Sequence, residues 1–192
     1  MEAVGHKTRR GFSLIEAAIV LGVVGAVIGT IWVSAAAVYE NHKVNQTVEG
    51  IFTTARNIQN LISINDTNGF VINQDINNTI IGADLAPKDW IKGNSLYTPM
   101  GDLLFVYAKV IPPDTFVFSI QNMEKSDCIA LMVKITSREV NKSDNARDLV
   151  WVNTINPEQY PGAAFPITPE QAAGYCVDGI IVQFYFAYTR IN

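Results

Sequence analysis

Two apolar patterns follow one another in the first third of the chain. From Ala17 to Val38 the sequence carries no ionisable side chain and is apolar on every helical face. These 22 residues would form a helix about 33 Å long, which matches the roughly 30 Å hydrocarbon core of a bilayer. Glu16 lies directly before this run. The pattern therefore predicts a membrane-spanning helix with a carboxylate near its N-terminal end.

Beyond Val38 the apolar positions continue at helical spacing, but on one side only. They recur every three or four residues, at Val44, Val48, Ile51, Ala55, Ile58 and Ile62. A turn-forming run from Asn65 to Gly69 then ends the pattern. We predict one helix of about fifty residues between Ser13 and Ile64, its second half packed under a sheet. A helix lying on lipid is the alternative, but its polar face lacks the dense lysine and arginine of such helices.

The remainder of the chain, residues 65–192, has the alternating and β-branched runs of a polar α+β domain. Strands are predicted at Leu103–Val110, Thr115–Ile120, Asp148–Thr154 and Gly179–Tyr188. The first two would form a hairpin through Pro112-Pro113-Asp114. Residues 66–100 are predicted to be an irregular connection with a short helix near Pro87–Trp90.

Two further helices are predicted in this domain. The apolar run from Cys128 to about Arg138 favours a helix capped by Ser126 or Asp127, although a strand is the alternative. Thr168-Pro169-Glu170-Gln171 has the pattern of a capping box with proline in the first helical position. A short helix is therefore expected to end near Gly174.

Composition and charge add a direction to this picture. Hydrophobic residues make up 48% of the chain and charged residues only 17%, with the excess concentrated in the apolar run. The net charge is −4 and the basic residues form no patch, so a nucleic-acid partner is not indicated. The run is preceded by Lys7, Arg9 and Arg10, and the positive-inside rule then places the N-terminus in the cytoplasm and everything after Tyr39 on the far side.

The two cysteines, Cys128 and Cys176, both fall on the exported side, where a disulfide can persist. We expect them to be bonded to each other; two unpaired buried thiols are the alternative. No CxxC pair or histidine cluster accompanies them, so no metal site and no cofactor are predicted.

Three interpretations compete for the N-terminal 38 residues. A secretory signal peptide could end at Ala35-Ala36-Ala37, but the apolar run is too long for one and Glu16 lies at its start. A plain membrane anchor is the second interpretation. The third follows from the segment Arg10-Gly11-Phe12-Ser13-Leu14-Ile15-Glu16, which resembles the processing signal of type IV pilins and of the pseudopilins of type II secretion.

The resemblance implies how the chain is processed and assembled. Prepilin peptidase would cut the Gly11–Phe12 bond on the cytoplasmic side, and Phe12 would then be N-methylated. Because a carboxylate within a membrane costs roughly 2.5–3.5 kcal/mol at the helix centre, Glu16 should have a partner. The resemblance implies the amino group of Phe12, on a neighbouring subunit or on the same chain. A carboxylate that reaches back to the cytoplasmic interface is the alternative.

Small residues in the span provide a second assembly signal. Gly22, Gly25 and Gly29 include the spacing at which small residues let helices approach closely in lipid, and we predict that they serve helix packing.

Across most of its length the chain resembles type IVb pilins, although Phe12 as first mature residue is a type IVa trait. The resemblance implies the pilin fold, an α+β fold in which the long helix packs against an antiparallel sheet. It divides the chain into a leader (1–11), a transmembrane and assembly half-helix (12–38), an amphipathic half-helix (39–64) and a globular head (65–192) with a disulfide-bounded region at 128–176.

The expected function is therefore structural rather than enzymatic: a pilus subunit serving adhesion, motility, DNA transfer or secretion. Its implied partners are copies of itself, other pilins, the peptidase, the assembly platform of the inner membrane and the membrane itself. The subunit would span the inner membrane once, with the head in the periplasm, and become extracellular in the pilus. A minor pilin or pseudopilin is the near alternative, and a membrane-anchored periplasmic binding protein or enzyme the remote one. No nucleophile elbow, phosphate loop or HExxH motif occurs.

Overall fold

The computed structural model describes residues 13–64, 74–109, 115–140, 147–155, 159–162 and 165–191. These form two compact units, one up to Glu40 and one from Asn41 onward, the latter called the head here. Helix α1 runs from Leu14 to Ile64 and its 51 residues contribute to both units. The single long helix predicted from the sequence is confirmed.

A seven-stranded antiparallel sheet forms the centre of the head, in the order β1-β2-β3-β4-β7-β5-β6. The strands are β1 Ile91–Lys92, β2 Ser95–Tyr97, β3 Leu103–Lys109, β4 Thr115–Met123, β5 Arg147–Ile155, β6 Gln159–Gly162 and β7 Ile180–Ile191. The last strand of the chain thus lies between β4 and β5. All four predicted strands are present, and β3 pairs with β4 as the hairpin prediction requires. The predicted turn at Pro112–Asp114 lies outside the described residues.

The core lies between the sheet and the head portion of α1. Five of the six predicted stripe residues are buried, namely Val44, Val48, Ile51, Ala55 and Ile58; the side chain of Ile62 lies outside the description. The Phe52 ring meets the Phe186 ring edge-on at 5.6 Å, and Phe116 and Phe118 pack around Phe186 on the same face of the sheet. The predicted α+β architecture, a long helix under an antiparallel sheet, is confirmed.

Three shorter α-helices among the described residues contribute to this core: α2 Asn77–Gly82, α3 Lys125–Val140 and α4 Pro169–Tyr175. The run after Cys128 is thus a helix and the strand alternative is wrong. The capping box of Thr168 and Gln171 is present at the start of α4.

The predicted cap of α3 is wrong, because the helix already begins at Lys125. A residue from elsewhere in the chain explains the earlier start. The Lys125 N–H donates to Asp178 Oδ1 at 2.8 Å. The carboxylate of Asp178, which is distant in the sequence, therefore accepts a hydrogen bond at the start of α3, the role predicted for Ser126 or Asp127.

The described part of the predicted connection at 66–100, residues 74–100, is more regular than predicted. These residues contain α2, β1 and β2, besides the expected short helix, a 3-10 turn at Lys88–Trp90. Asn77 explains part of this order: its Oδ1 accepts the Val106 N–H at 2.8 Å and its Nδ2 donates to the Leu104 carbonyl at 3.1 Å. These long-range bonds satisfy the edge of β3, and local sequence patterns do not reveal them.

Candidate assembly segment

The part of α1 from Leu14 to Glu40, here called the assembly segment, is covered with apolar side chains that no described part of its own chain buries. Its fourteen large apolar residues, from Leu14 to Tyr39, are between 46% and 88% exposed. Within the described residues, α1 is long and apolar enough to cross a membrane. A contiguous apolar surface of this size indicates contact with lipid or with other protein chains.

The hydroxyl groups of Thr30 and Ser34 in the assembly segment have partners within the helix. Thr30 Oγ1 donates to the Val27 carbonyl at 2.8 Å, and Ser34 Oγ donates to the Thr30 carbonyl at 3.0 Å. A hydroxyl without a partner is costly to remove from water, whereas one bonded back to its own helix is tolerated. Both residues are therefore compatible with an apolar environment.

The three glycines of the assembly segment face open space. A Cβ added to Gly22, Gly25 or Gly29 would have no heavy atom within 4 Å, leaving aside the backbone of the helix itself. No side chain among the described residues therefore requires glycine at these positions. Their role in helix packing stays a prediction, and it concerns contacts with another molecule.

Glu16 accepts a hydrogen bond in the first turn of α1. The Ser13 N–H donates to Glu16 Oε2 at 3.0 Å, and the Ile15 N–H donates to Ser13 Oγ at 3.3 Å. Ser13 and Glu16 have the Ser-x-x-Glu spacing of a capping box, a role for Glu16 that the resemblance to pilins did not indicate. Gly11 and Phe12 lie outside the described residues.

In the head, α3 is fastened to α1 by polar contacts on the outside of the core. Lys134 Nζ donates to Asn41 Oδ1 at 3.3 Å and to Asn45 Oδ1 at 3.0 Å. Arg138 pairs with Glu49, and its guanidinium group lies 4.8 Å from the centre of the Phe52 ring. These contacts hold α3 along the first turns of α1 in the head.

The predicted disulfide between Cys128 and Cys176 is present. The two Cα atoms are 5.9 Å apart, both residues are fully buried, and the bond joins the first turn of α3 to the residue after α4. Thr136 adds a second link, because its Oγ1 accepts the Ile167 N–H at 3.0 Å while donating to a carbonyl of its own helix. The alternative of two unpaired thiols is wrong.

One carboxyl group of the head has a perturbed titration. Burial, and to a smaller extent the nearby carboxylates of Asp127 and Glu124, together raise the pKa of Asp102 from 3.8 to about 6. Asp102 Oδ2 is buried and has no hydrogen-bond partner among the described residues. Among all the residues that the structure describes, no group of three or more acidic, histidine or cysteine side chains is placed to hold a metal ion.

Comparison with known proteins identifies the fold. Neither a protein-family model nor a curated protein sequence matches the chain. Its structure is similar to the crystal structure of a type IV b pilin from Salmonella typhi, with a TM-score of 0.56 and 12% sequence identity. The similarity covers 73% of this chain and 97% of that one. The chain therefore has the type IV pilin fold, a long N-terminal helix packed in its second part against an antiparallel sheet.

Proposed function

We propose that the chain is a structural subunit of a type IV pilus, and that it polymerises through the assembly segment. One observation carries this proposal: the helix that contributes to the core of the pilin-fold head also carries fourteen exposed large apolar residues. A membrane can cover that surface before assembly, and the same segments of neighbouring subunits can cover it afterwards.

The proposal includes processing of a precursor. Residues 1–11 would be a leader that prepilin peptidase removes at the Gly11–Phe12 bond, and the new amino group of Phe12 would be methylated. Residues 12–38 would be the transmembrane and assembly half of the helix, 39–64 its amphipathic half, and 65–192 the head with its disulfide-bounded region at 128–176. Helix α1 begins at Leu14, the third residue after the proposed cut, so cleavage leaves the helix whole in the mature subunit.

The subunit would span the inner membrane once, with its N-terminus in the cytoplasm and its head in the periplasm. The basic residues before the span support this orientation, and so does the disulfide, which persists in oxidising compartments. The partners would be other copies of this chain, other pilins, the peptidase, the assembly platform and the membrane, without direct binding of nucleic acid.

Within the filament, Glu16 would pair with the Phe12 amino group of a neighbouring subunit. Forming that pair on docking removes the cost of a lone carboxylate in an apolar environment and fixes the axial register. Gly22, Gly25 and Gly29 would allow the packed helices to approach closely.

Mass spectrometry of the protein's N-terminus in the producing cell tests the processing step. An N-methylated Phe12 supports the proposal, whereas intact Met1 indicates a plain anchor and a start at Val38 indicates a secreted protein. Gly11→Ala should leave an uncleaved precursor in the membrane. A variant of normal mature size would contradict the proposed cleavage.

Deletion of the gene tests the structural role. Loss of pili in electron micrographs indicates a major subunit, and unaltered pili indicate a minor pilin or a type II secretion pseudopilin. If the mature chain never enters a filament, an anchored periplasmic binding protein or enzyme becomes the better hypothesis.

A further inference from the structure

The assembly segment carries two aromatic side chains, Trp32 and Tyr39. Both are largely exposed, Trp32 to 73% and Tyr39 to 60%. Because seven residues make close to two helical turns, both side chains lie on the same face of α1. Indole and phenol rings combine an apolar body with a polar tip, and tryptophan and tyrosine are therefore enriched where hydrocarbon meets lipid headgroups. This face fits a membrane boundary better than the centre of a bilayer.

The apolar character of the assembly segment changes at Trp32. Eight of the fifteen residues from Ala17 to Ile31 are valine, leucine or isoleucine, compared with two of the six residues from Val33 to Val38. The other four residues of the second stretch are alanine or serine, which gain much less from transfer into hydrocarbon. Trp32 therefore stands where the strongly apolar part of the segment ends.

Two positions of the bilayer along α1 are compatible with these aromatic residues. A hydrocarbon core of about 30 Å takes up about 20 helical residues. If Trp32 marks the boundary farther from the N-terminus, the core covers residues 13–32 and Glu16 lies roughly 5 Å inside the hydrocarbon. If Tyr39 marks that boundary, the core covers residues 20–39 and Glu16 lies roughly 6 Å outside, in the headgroup layer. The two positions differ by about 10 Å.

The side chains at the two ends of the segment favour the first position. It covers three exposed aliphatic side chains that the second position leaves outside the hydrocarbon, namely Leu14, Ile15 and Ile19. The second position gains only Val33 and Val38 in their place. It also places the indole N–H of Trp32 about 10 Å below the surface, where a donor cannot reach water. In the first position Glu16 is less than one turn below the surface, so its side chain can extend toward the headgroups.

We propose that Trp32 anchors the subunit at the outer boundary of the membrane, with its indole N–H among the lipid headgroups, and that it sets the depth of α1 so that the hydrocarbon core covers residues 13–32. The inference rests on the proposed function, since it takes the assembly segment as the membrane span. At this depth the Glu16 carboxylate is poorly solvated, and it gains from a partner such as the Phe12 amino group of a neighbouring subunit. A carboxylate in the headgroup layer would gain much less.

Depth-resolved quenching of tryptophan fluorescence tests the position. The full-length chain is reconstituted into phosphatidylcholine–phosphatidylglycerol vesicles whose acyl chains carry bromine at defined depths. The Trp32→Leu variant retains Trp90 and Trp151 of the head, so subtraction of its signal leaves the signal of Trp32. Depth is measured from the bilayer centre, and the orientation of the chain in the vesicle therefore does not affect the result.

The two positions give opposite quenching patterns. In the proposed position Trp32 lies about 15 Å from the bilayer centre, and we expect the shallowest bromine atoms to quench it at least about twofold more than the deepest. The other position would place Trp32 about 5 Å from the centre. Strongest quenching by the deepest bromine atoms would overturn the proposal.

A variant that moves the indole by two turns tests whether the indole itself sets the depth. Trp32→Leu is combined with Tyr39→Trp, and Trp32→Leu alone is again the background. If the indole sets the depth, the tryptophan introduced at position 39 should be quenched by the shallow bromine atoms as strongly as Trp32 is in the wild type. If that tryptophan instead lies about 10 Å beyond the hydrocarbon, unquenched and with the emission of an indole in water, the anchoring role is refuted.

Flotation of the same vesicles separates this inference from the proposed function. If the wild-type chain does not float with the vesicles, it does not enter a membrane, and the membrane-spanning step of the proposed function is wrong together with the inference. If the chain floats and Trp32 lies deep in the bilayer, the proposed function stands and only the anchoring role of Trp32 is refuted.

Discussion

Gly50 is the glycine of α1 on which the head depends most, and its replacement gives a sharp test of the packing. In the core, the Trp90 indole lies directly against the backbone of α1 at this position, and Trp90 is only 2% exposed. An ideal Cβ on Gly50 would overlap Cζ2, Cη2 and Cε2 of the indole, the most distant of them at 2.8 Å. Carbon atoms in contact normally stay about 3.5–4.0 Å apart. We therefore expect Gly50→Ala to destabilise the head.

The magnitude follows from two opposing terms. Alanine gains about 1 kcal/mol over glycine in a helix interior. Against this gain, overpacking a core costs typically 1–3 kcal/mol. If the indole is forced out of its site altogether, the cost approaches the roughly 3–5 kcal/mol of truncating a buried tryptophan. Because the overlap involves three ring atoms and helix backbone, we expect a net loss of about 2–4 kcal/mol.

Chemical unfolding of the full-length chain in detergent, followed by near-ultraviolet circular dichroism, measures this loss. Gly174→Ala is the matched control, since Gly174 lies in α4 and a Cβ there meets nothing within 4 Å. That variant should be as stable as wild type or slightly more stable, because it carries the propensity gain without the overlap.

A double-mutant cycle isolates the clash from other effects of the substitution. In a Trp90→Ala background the space for the Cβ is open, so Gly50→Ala should stabilise the head by up to about 1 kcal/mol. A reversal of sign between the two backgrounds is the expected result. The reasoning is refuted if Gly50→Ala is neutral in the wild-type background, or if it destabilises both backgrounds equally.

Three further variants probe the head, each by unfolding measurements on the full-length chain. Because Asp102 binds a proton up to about pH 6 in the folded state and only up to pH 3.8 in the unfolded state, the free energy of unfolding should fall as pH rises through this window. Asp102→Asn should make the free energy of unfolding less dependent on pH and raise it by about 1 kcal/mol at pH 7, a value discounted for partial exposure of the carboxyl group. An unchanged pH dependence in the variant would contradict this reasoning. Joint replacement of Cys128 and Cys176 by serine should lower the free energy of unfolding by about 4 kcal/mol, because the disulfide closes a loop with a separation of 48 residues. A melting temperature lowered by less than a few degrees would contradict this magnitude. Asn77→Ala leaves a buried N–H and a buried carbonyl of β3 without their partner and should lower the free energy of unfolding by about 2–4 kcal/mol. Alanine at the exposed Asn78 is the control and should be neutral. Equal effects at the two sites would show that Asn77 does not stabilise β3.

The features predicted correctly from the sequence are those that depend on the order of residues within one segment. The stripe from Val44 to Ile58 repeats with the helical period, and the strand around Phe116 and Phe118 is long and rich in β-forming residues. A periodic pattern of this kind predicts the element even when the surface against which it packs is unknown. The disulfide could also be predicted, because the two cysteines of the chain allow only one intramolecular pairing.

The features that were missed depend on residues far apart in the chain. Strands β1 and β2 are two and three residues long, which is too short for a periodic signal. The start of α3 is fixed by a carboxylate 53 residues away, and Gly50 is required by a tryptophan from another element. Tertiary contacts determine these features, and the neighbouring residues in the sequence do not reveal them.

The place of β7 in the sheet governs when the head can fold. Strand β7 comprises 12 residues at the end of the described chain, yet it pairs with β4 on one side and with β5 on the other. Until Ile180 and the residues after it arrive, β4 and β5 each have an edge of unpaired backbone groups, which invites pairing with other chains. The sheet of the head can therefore form only after β7 has been synthesised. A product that stops before Ile180 should aggregate or be degraded.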